Sequence, residues 1–442
     1  MNRTAVSAAC LSALALLGAG LGQAHAQSSV TLYGTLDVGV DRIEKGEGNV
    51  QGTLFGLRGT TPIPNAIASP SSTSVRVSPS HTRQSNFGIR GVEDLGGGYR
   101  GLFVLEGGLT IDNGGLANDG RLFGRQAYVG LTTPFGEVKA GRQASPMLIA
   151  YYLVTPEAIG STDLFSAGLA VNTLQTFQDN QISYAVKQGP WTAIASFSTN
   201  AGVGSGVSAA RSVPTASTPV ATAATGQIVG GLTAGAETTD DRGRAVGAML
   251  AWRGESLTVL GSYHRNDFGG VPLGVVSGTT LVPLFNIENY RAYMASFKYI
   301  FAGTGTTVAL VGHQGKFNLG GNTDPTVNTW GATIKQAIGQ VDVSAHLLDT
   351  RFTNYTRGRE RGLMLGLDYN FSKRTAIYTR VGGVKDKRGS IVRGAITPLP
   401  IAGGPGALLL PLGSQEVPLF AGAGQNLDAK TTIVSLGIRH AF

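Results

Sequence analysis

Histidine can take the largest number of chemical roles among the residues of this sequence, because its side chain ligates metals and exchanges protons near neutral pH. Beyond the first 26 residues, none of the histidines belongs to an H-E-x-x-H pair or to another recognisable metal-ligand spacing. Their positions are His81, His264, His313, His346 and His440. We therefore expect no bound metal ion and no other cofactor.

A serine–histidine pair and a glycine-rich run are the other candidates for chemistry. Ser435 and His440 are five positions apart, so an extended chain would direct their side chains to opposite faces. The sequence also has no G-x-S-x-G nucleophile elbow. The run Gly202–Gly206 lies in a low-complexity segment without the strand–helix context of a nucleotide-binding loop. The residue types therefore argue against an enzyme.

The composition excludes several classes of protein. Of 442 residues, 42% are hydrophobic and only 14% are charged, which is unlike a disordered chain. The one cysteine, Cys10, cannot form an internal disulfide or a multi-thiolate zinc site. The net charge of +8 comes without any Lys/Arg run, so no nucleic-acid partner is expected. The mean hydropathy of +0.08 is high for a soluble protein but low for a multi-helix membrane protein.

The N-terminal residues have the three parts of a bacterial secretion signal. Arg3 supplies the positive charge, Ala5–Gly22 is an apolar run, and residues 24–26 form an A-x-A cleavage site. We expect residues 1–26 to be a signal peptide that is removed during export by the general secretory route. The mature chain would then be residues 27–442, without cysteine, which is typical of the bacterial envelope.

Alternation of apolar and polar residues is the dominant pattern of the mature chain, and it predicts β-strands with one apolar face. Clear examples are Val30–Asp41, Ala292–Phe301 and Leu363–Phe371. After the leader, no apolar run approaches the roughly 18–20 residues of a membrane-spanning helix. If this chain crosses a membrane, it must do so as a closed barrel, which satisfies every backbone hydrogen bond between strands.

Two features favour such a barrel over a soluble sandwich. Aromatic residues end strands beside short turns, as Tyr369 and Phe371 do before Ser372, where an interfacial aromatic girdle is expected. Short turns also alternate with long connections, the pattern of outer-membrane barrels. The long connections include residues 44–80, 199–240 and the Pro/Leu-rich stretch 382–430. The count of about sixteen strands predicts an all-β fold, a 16-stranded antiparallel transmembrane β-barrel.

Several motifs resemble those of the general porins of Gram-negative bacteria, with a beta-proteobacterial, neisserial-like character. The resemblance extends from residue 27 to the C terminus, with the long loops unmatched. The segments that carry it are Ser29–Gly34, Gly88–Gly98, Arg125–Leu131, Phe135–Gln143 and the terminal Phe442.

This resemblance implies an outer-membrane homotrimer in which each subunit is a single barrel domain, residues 27–442, with its own water-filled pore. Ions and small hydrophilic solutes would diffuse through it passively. The implied partners are outer-membrane lipid, lipopolysaccharide and the assembly machinery, which would recognise Phe442.

The resemblance also implies a pore constriction, in which an inward-folded third external loop faces arginines on the barrel wall. Carried over by position, Arg125 and Arg142 match the wall arginines. The loop would span about residues 144–176, with Glu157 and Asp163 as its carboxylates. Fixed charges of this kind select ions as they pass.

Two positions depart from the family pattern. Asn86 stands where the family usually has an arginine before Gly88, and Gln178 stands where another arginine is common. Arg83 or Arg90 could substitute, although Arg83 has the opposite strand parity from Asn86 and Arg90. We therefore expect only a weak preference for anions.

Two alternatives share this architecture. A substrate-specific channel for sugars or anions would have the same barrel. An outer-membrane enzyme such as a barrel phospholipase would need a Ser/His pair at the lipid boundary, which Ser435 and His440 do not form. A ligand-gated iron importer is excluded, because it needs about 22 strands and a plug.

Overall fold

The computed structural model describes residues 29–50, 53–54, 61–62, 67–69, 71–118, 120–155, 177–201, 228–229, 243–277, 280–318, 326–353, 359–387, 395–401, 404–410 and 429–442. Within these ranges, sixteen strands close into an antiparallel barrel. They are β1 (Ser29–Lys45), β2 (Asn86–Gly96), β3 (Tyr99–Thr110), β4 (Gln126–Thr133), β5 (Gly136–Ala144), β6 (Phe177–Gln188), β7 (Trp191–Ser198), β8 (Ala245–Arg253), β9 (Leu257–Ser277), β10 (Thr280–Ile300), β11 (Thr306–Asn318), β12 (Thr326–Ile338), β13 (Val341–Thr353), β14 (Arg359–Asn370), β15 (Thr375–Lys387) and β16 (Lys430–Ala441).

The first and last strands close the ring. β1 pairs with β2 along one edge and with β16 along the other, with Thr35 opposite Ala441. Phe442 and Gly34 exchange backbone hydrogen bonds of 3.1 and 3.2 Å. Glycine is favoured at position 34, because a Cβ there would lie 2.6 Å from the backbone carbonyl oxygen of Asn86. The predicted 16-stranded antiparallel barrel is confirmed.

The alternation in sequence separates the two faces of the wall. On β14, Leu363, Leu365 and Leu367 are about half exposed on the outer face, whereas Met364 and Asp368 are buried on the inner face. Because the outer residues are apolar and the inner ones are mixed, lipid outside and water inside explain the intermediate hydropathy of the chain. Among the described residues, no helix is long and apolar enough to cross a bilayer.

Short turns join the strands at one end of the barrel. Gly189 and Gly339 have φ values of 55° and 59°, a conformation that glycine adopts without a steric cost. Tyr369 and Phe371 pack edge-to-face at this end, with ring centroids 5.0 Å apart. Tyr299 and Phe301 do the same at 4.8 Å, so both aromatic pairs lie where the sequence predicts a girdle.

A nine-residue helix, α1 (Pro146–Val154), follows β5 and packs inside the barrel. The Ser145 hydroxyl caps it by accepting a hydrogen bond from the Leu148 N–H at 3.2 Å. The helix contacts β8, β9 and β10 on their inner face, and Nζ of Lys298 donates to the Leu153 carbonyl at 2.5 Å. This helix begins the predicted inward loop. Residues 156–176 lie outside the described residues, so the remaining course of that loop stays a prediction.

The predicted long connection 44–80 contains a further strand of the wall. Residues Ser72–Pro79 pair with residues 38–45 of β1, along the same edge of β1 that pairs with β2 nearer the short turns. This part of the predicted connection is therefore strand and not loop. Residues 80–85 join it to β2 and contact inner-face residues of several strands; we call them the inserted segment. In the Pro/Leu-rich stretch, Ala395–Ile401 and Gly404–Leu410 pair as antiparallel strands.

Candidate functional site in the barrel interior

Arg125, immediately before β4, lies inside the barrel and is 9% exposed. Its Nε donates to Oε1 of Glu106 on β3, and its Nη1 donates to Oε1 of Gln84 in the inserted segment. The guanidinium carbon lies 5.0 Å from the ring centroid of Phe177, a cation–π distance. The predicted wall arginine is therefore held on three sides, and Glu106 balances its charge.

Glu106 is the centre of a polar cluster that includes Asn86. Its Oε2 accepts from the Tyr33 hydroxyl at 2.7 Å and from the Gln126 amide at 3.2 Å, and the Asn86 side chain is a further hydrogen-bond partner. Ionised carboxylates form stronger hydrogen bonds than neutral acceptors. Asn86 thus joins the Arg125 cluster through Glu106, but it brings no charge to it.

Arg142 belongs to a second cluster. Its Nη1 donates to Oδ1 of Asp179 at 2.6 Å, and its Nε donates to the Gly124 carbonyl at 2.8 Å. Arg121 donates to both oxygens of the same carboxylate, at 2.8 and 2.9 Å. A register irregularity at Gly141, where φ is 127°, sets the direction of Arg142. Among the residues that the structure describes, this cluster holds two cations and one carboxylate.

Gln178 lies between Phe177 of the first cluster and Asp179 of the second, but its side chain makes other contacts. It is 1% exposed, and its Nε2 is 3.2 Å from Nε2 of His264, which in turn contacts Asn266. The contacts of Gln178 are therefore those of a buried polar network in the wall.

Arg90 is exposed on the inner face of β2, with its guanidinium carbon 5.2 Å from the Tyr33 ring centroid. Four residues of strand, roughly 13 Å, separate it from Asn86 toward the short turns. Glu157 and Asp163 lie outside the described residues, and their role in the constriction stays a prediction.

The inserted segment is anchored chiefly by a buried carboxylate. Asp37 on β1 accepts the backbone N–H groups of His81, Thr82 and Arg83 at 3.2, 2.9 and 2.8 Å. It also accepts the Thr82 hydroxyl at 2.6 Å and the Tyr378 hydroxyl at 2.5 Å. A fully buried carboxylate needs such donors, because an unpaired one would carry a large desolvation cost.

His81, Asp41 and Ser78 form a buried contact beside this anchor. His81 Nε2 and the Ser78 hydroxyl both bind the Asp41 carboxylate, and Ser78 Oγ is 3.4 Å from His81 Nε2. In a hydrolytic triad the acid and the nucleophile contact different ring nitrogens of the histidine. Here Asp41 and Ser78 both contact Nε2 of His81, and all three side chains are buried. The contact therefore holds the inserted segment against β1 and does not form a hydrolytic triad.

Arg83 is exposed within the inserted segment, whose neighbours His81 and Thr82 are buried. Arg439 on β16 donates to the Thr82 hydroxyl at 2.8 Å and lies close enough to Arg83 for like-charge repulsion. The residues that surround Arg83 belong to the inner face of the wall, so its exposed side chain lies on the lumen side. Strand parity predicts that Arg83 lies on the opposite strand face from Asn86 and Arg90. That prediction is wrong, because residues 80–85 are not in a strand.

Sequence reasoning missed the carboxylates that balance the wall arginines. Glu106 shares the inner parity of β3 with Val104, so the alternation rule could have placed it inside. The alternation rule could not have placed Asp179 or Arg121. Asp179 precedes Asn180, whose φ of 51° interrupts the regular alternation of side chains along β6. Arg121 lies between strands, where no alternation applies.

Comparisons with known proteins agree with this geometry. A family model described as Gram-negative porin matches residues 10–389. Outer membrane porin protein 32 of Delftia acidovorans is 28% identical over 98% of this chain and 99% of its own length. An outer membrane porin protein of Bordetella pertussis is 35% identical over 39% of this chain; that match spans less than half of the relative, 43%.

Two solved structures share the fold. An anion-selective porin from Comamonas acidovorans superposes with a TM-score of 0.60 at 22% identity, covering 94% of this chain and all of that one. The trimer form of OmpT, an outer membrane protein of Vibrio cholerae, gives 0.56 at 12% identity, covering 94% of this chain and 99% of that one.

Proposed function

Because the chain belongs to the Gram-negative porin family, we propose that it forms an outer-membrane channel with a weak preference for anions. Ions and small hydrophilic solutes diffuse passively through it. The closed barrel, apolar outside and polar inside, supports a water-filled path along its axis. The proposed anion preference rests on one observation, the exposed Arg83 on the lumen side of the wall. The nearby wall arginines Arg125 and Arg142 are already paired with carboxylates.

The charges of the two clusters explain why the preference is weak. Among the described side chains, Arg125 and Glu106 cancel, whereas Arg121 and Arg142 exceed Asp179 by one positive charge. Arg83 adds a cation that faces water, in a lumen whose low-dielectric wall strengthens its field. Glu157 and Asp163 would oppose this charge from the inward loop.

The functional unit is a homotrimer with one pore in each subunit, and Phe442 is the residue that the assembly machinery recognises. Residues 1–26 direct export and are then removed, which N-terminal sequencing of the mature protein would check. These assignments rest on family membership and on the sequence.

Single-channel recording of the purified protein in a planar lipid bilayer tests the channel itself. The conductance should rise stepwise in multiples of three unit conductances, because each inserted trimer brings three pores at once. A protein that folds into trimers but gives no conductance would contradict the proposal. Lipase activity that persists in such preparations would favour the enzyme alternative.

A further inference from the structure

Three arginines surround a single carboxylate on the outer face of β13 and β14. Arg359 donates through Nε to both oxygens of Asp349, at 3.0 and 2.9 Å. Nε of Arg351 and Nε of Arg361 lie 3.6 and 3.4 Å from the same carboxylate. We call these four residues the arginine cluster. One carboxylate cannot neutralise three guanidinium groups, so the cluster carries a net charge of about +2 at neutral pH.

The cluster belongs to the outer face of the wall. Along β14, Arg359 and Arg361 have the same parity as Leu363, Leu365 and Leu367, which are exposed on that face. The Arg351 and Arg361 side chains are each 61% exposed. These cations therefore face the surroundings of the barrel and not its lumen.

The height of the cluster matches the outer border of the membrane. From Tyr369, at the aromatic end of β14, to Arg361 the strand rises roughly 27 Å, which is about 20 Å along the membrane normal at a tilt of about 40°. The apolar band of such barrels is about 25 Å tall. Arg361 and Arg359 thus lie where the apolar belt ends, on the side opposite the short turns.

A further cation extends the patch to the next strand. Lys385 on β15 is exposed and stands opposite Arg361 in the register of the two strands. Like charges opposite each other destabilise a sheet unless a counter-charge is present. An anion bound from outside the barrel would supply that counter-charge.

We propose that the arginine cluster and Lys385 bind the phosphate groups of a lipopolysaccharide headgroup in the outer leaflet. Guanidinium groups bind phosphate in a bidentate manner, and the leucines directly below them would contact the acyl chains of the same lipid. Charge complementarity and the position at the edge of the apolar belt identify this lipid as the occupant. The inference rests on the outer-membrane location of the proposed channel.

Binding of lipid A to detergent-solubilised, full-length trimers by native mass spectrometry tests this site. The test variant is Arg351→Gln with Arg361→Gln, which keeps the Arg359–Asp349 pair. The matched control is Lys373→Gln with Arg374→Gln, which removes two exposed cations from the short turn that follows β14. Each cation near a membrane surface contributes enough that losing two should raise the Kd for lipid A tenfold or more.

The expected results are a tenfold or larger loss of lipid A affinity in the test variant and an unchanged affinity in the control. Dephosphorylated lipid A should bind the unmodified trimer as weakly as lipid A binds the test variant. Equal affinities in both variants, or tight binding of dephosphorylated lipid A, would overturn the inference. Displacement of lipid A by an equal concentration of inorganic phosphate would show a site for free phosphate only, which also overturns it.

Single-channel conductance separates this inference from the proposed function. The test variant should conduct like the unmodified protein, because its substitutions face away from the lumen. If the double variant does not form trimers, Arg351→Gln alone provides the measurement, with a smaller expected loss. Normal conductance with unchanged lipid A binding would overturn the lipid site alone, and absent conductance in the unmodified protein would contradict the channel.

Discussion

The carboxylate of Asp37 accepts a hydrogen bond from the backbone N–H of Arg83 at 2.8 Å, which fixes the position of an exposed cation inside the barrel. The same carboxylate binds the two preceding N–H groups, so the inserted segment has one main anchor on β1. The charge of the pore and the integrity of the wall are therefore coupled through this buried acid.

Replacing Asp37 by Asn should loosen the inserted segment. The amide cannot accept all the N–H groups that the carboxylate accepts, so the free energy of unfolding should fall by about 2 kcal/mol or more. The inserted segment should also detach from β1 part of the time. Because this motion changes the pore while ions pass, it should raise the current noise in single-channel recordings. Urea unfolding monitored by tryptophan fluorescence checks the first effect.

Asp94→Asn is the control for this substitution. Asp94 accepts the Gly96 N–H at 2.9 Å in an exposed short turn, where water can replace the lost interaction. The free energy of unfolding of the Asp94→Asn variant should differ from that of the unmodified protein by less than about 0.5 kcal/mol. Equal destabilisation by both substitutions would show that Asp37 is not the anchor.

Replacing Glu106 by Gln should strengthen the preference for anions. The substitution removes the charge that balances Arg125, while Gln84 and the Phe177 ring keep the guanidinium in place. The ratio of chloride to potassium permeability should therefore rise, as measured from the reversal potential. Glu137→Gln is the control, since Glu137 pairs with Lys139 at 2.8 Å next to a short turn. A rise of the same size in the control would exclude a specific role for Glu106.

Replacing Gly247 by Val should displace α1 from the inner face of β8. A Cβ at position 247 would lie 2.8 Å from Cδ of Pro146 and 2.9 Å from Oγ of Ser196. Overpacking of this kind costs about 1–3 kcal/mol, and the moved helix should change the conductance. Gly261→Val on the adjacent strand is the control, because the nearest atom to its Cβ would be 3.9 Å away. Unchanged conductance in Gly247→Val would show that α1 does not narrow the pore.

The barrel could be predicted from the sequence because membrane strands impose a strict two-residue period. Leu363, Leu365 and Leu367 lie outside and Asp368 lies inside, as their parity requires. The same rule failed for Arg83, because residues 80–85 leave the sheet and follow the hydrogen bonds of Asp37, a contact across more than forty residues. Local patterns carry no information about such a contact.

The candidate site was only partly predictable for a related reason. Arg125 and Arg142 could be named from family motifs, but their counter-charges Glu106 and Asp179 depend on strand register and on a bulge. Whether a buried arginine selects ions depends on its partner as much as on its own position. The sequence identified the cations and missed the pairing that limits their effect.

The reversal potential across a bilayer that separates unequal KCl concentrations tests the central claim most directly. The unmodified trimer should give a potential of the sign that indicates chloride preference, and Arg83→Gln should move that potential toward zero. Arg374→Gln, which removes an exposed cation from a short turn, should leave it unchanged. A cation-selective potential in the unmodified trimer, or an unaltered potential in Arg83→Gln, would contradict this account of the pore.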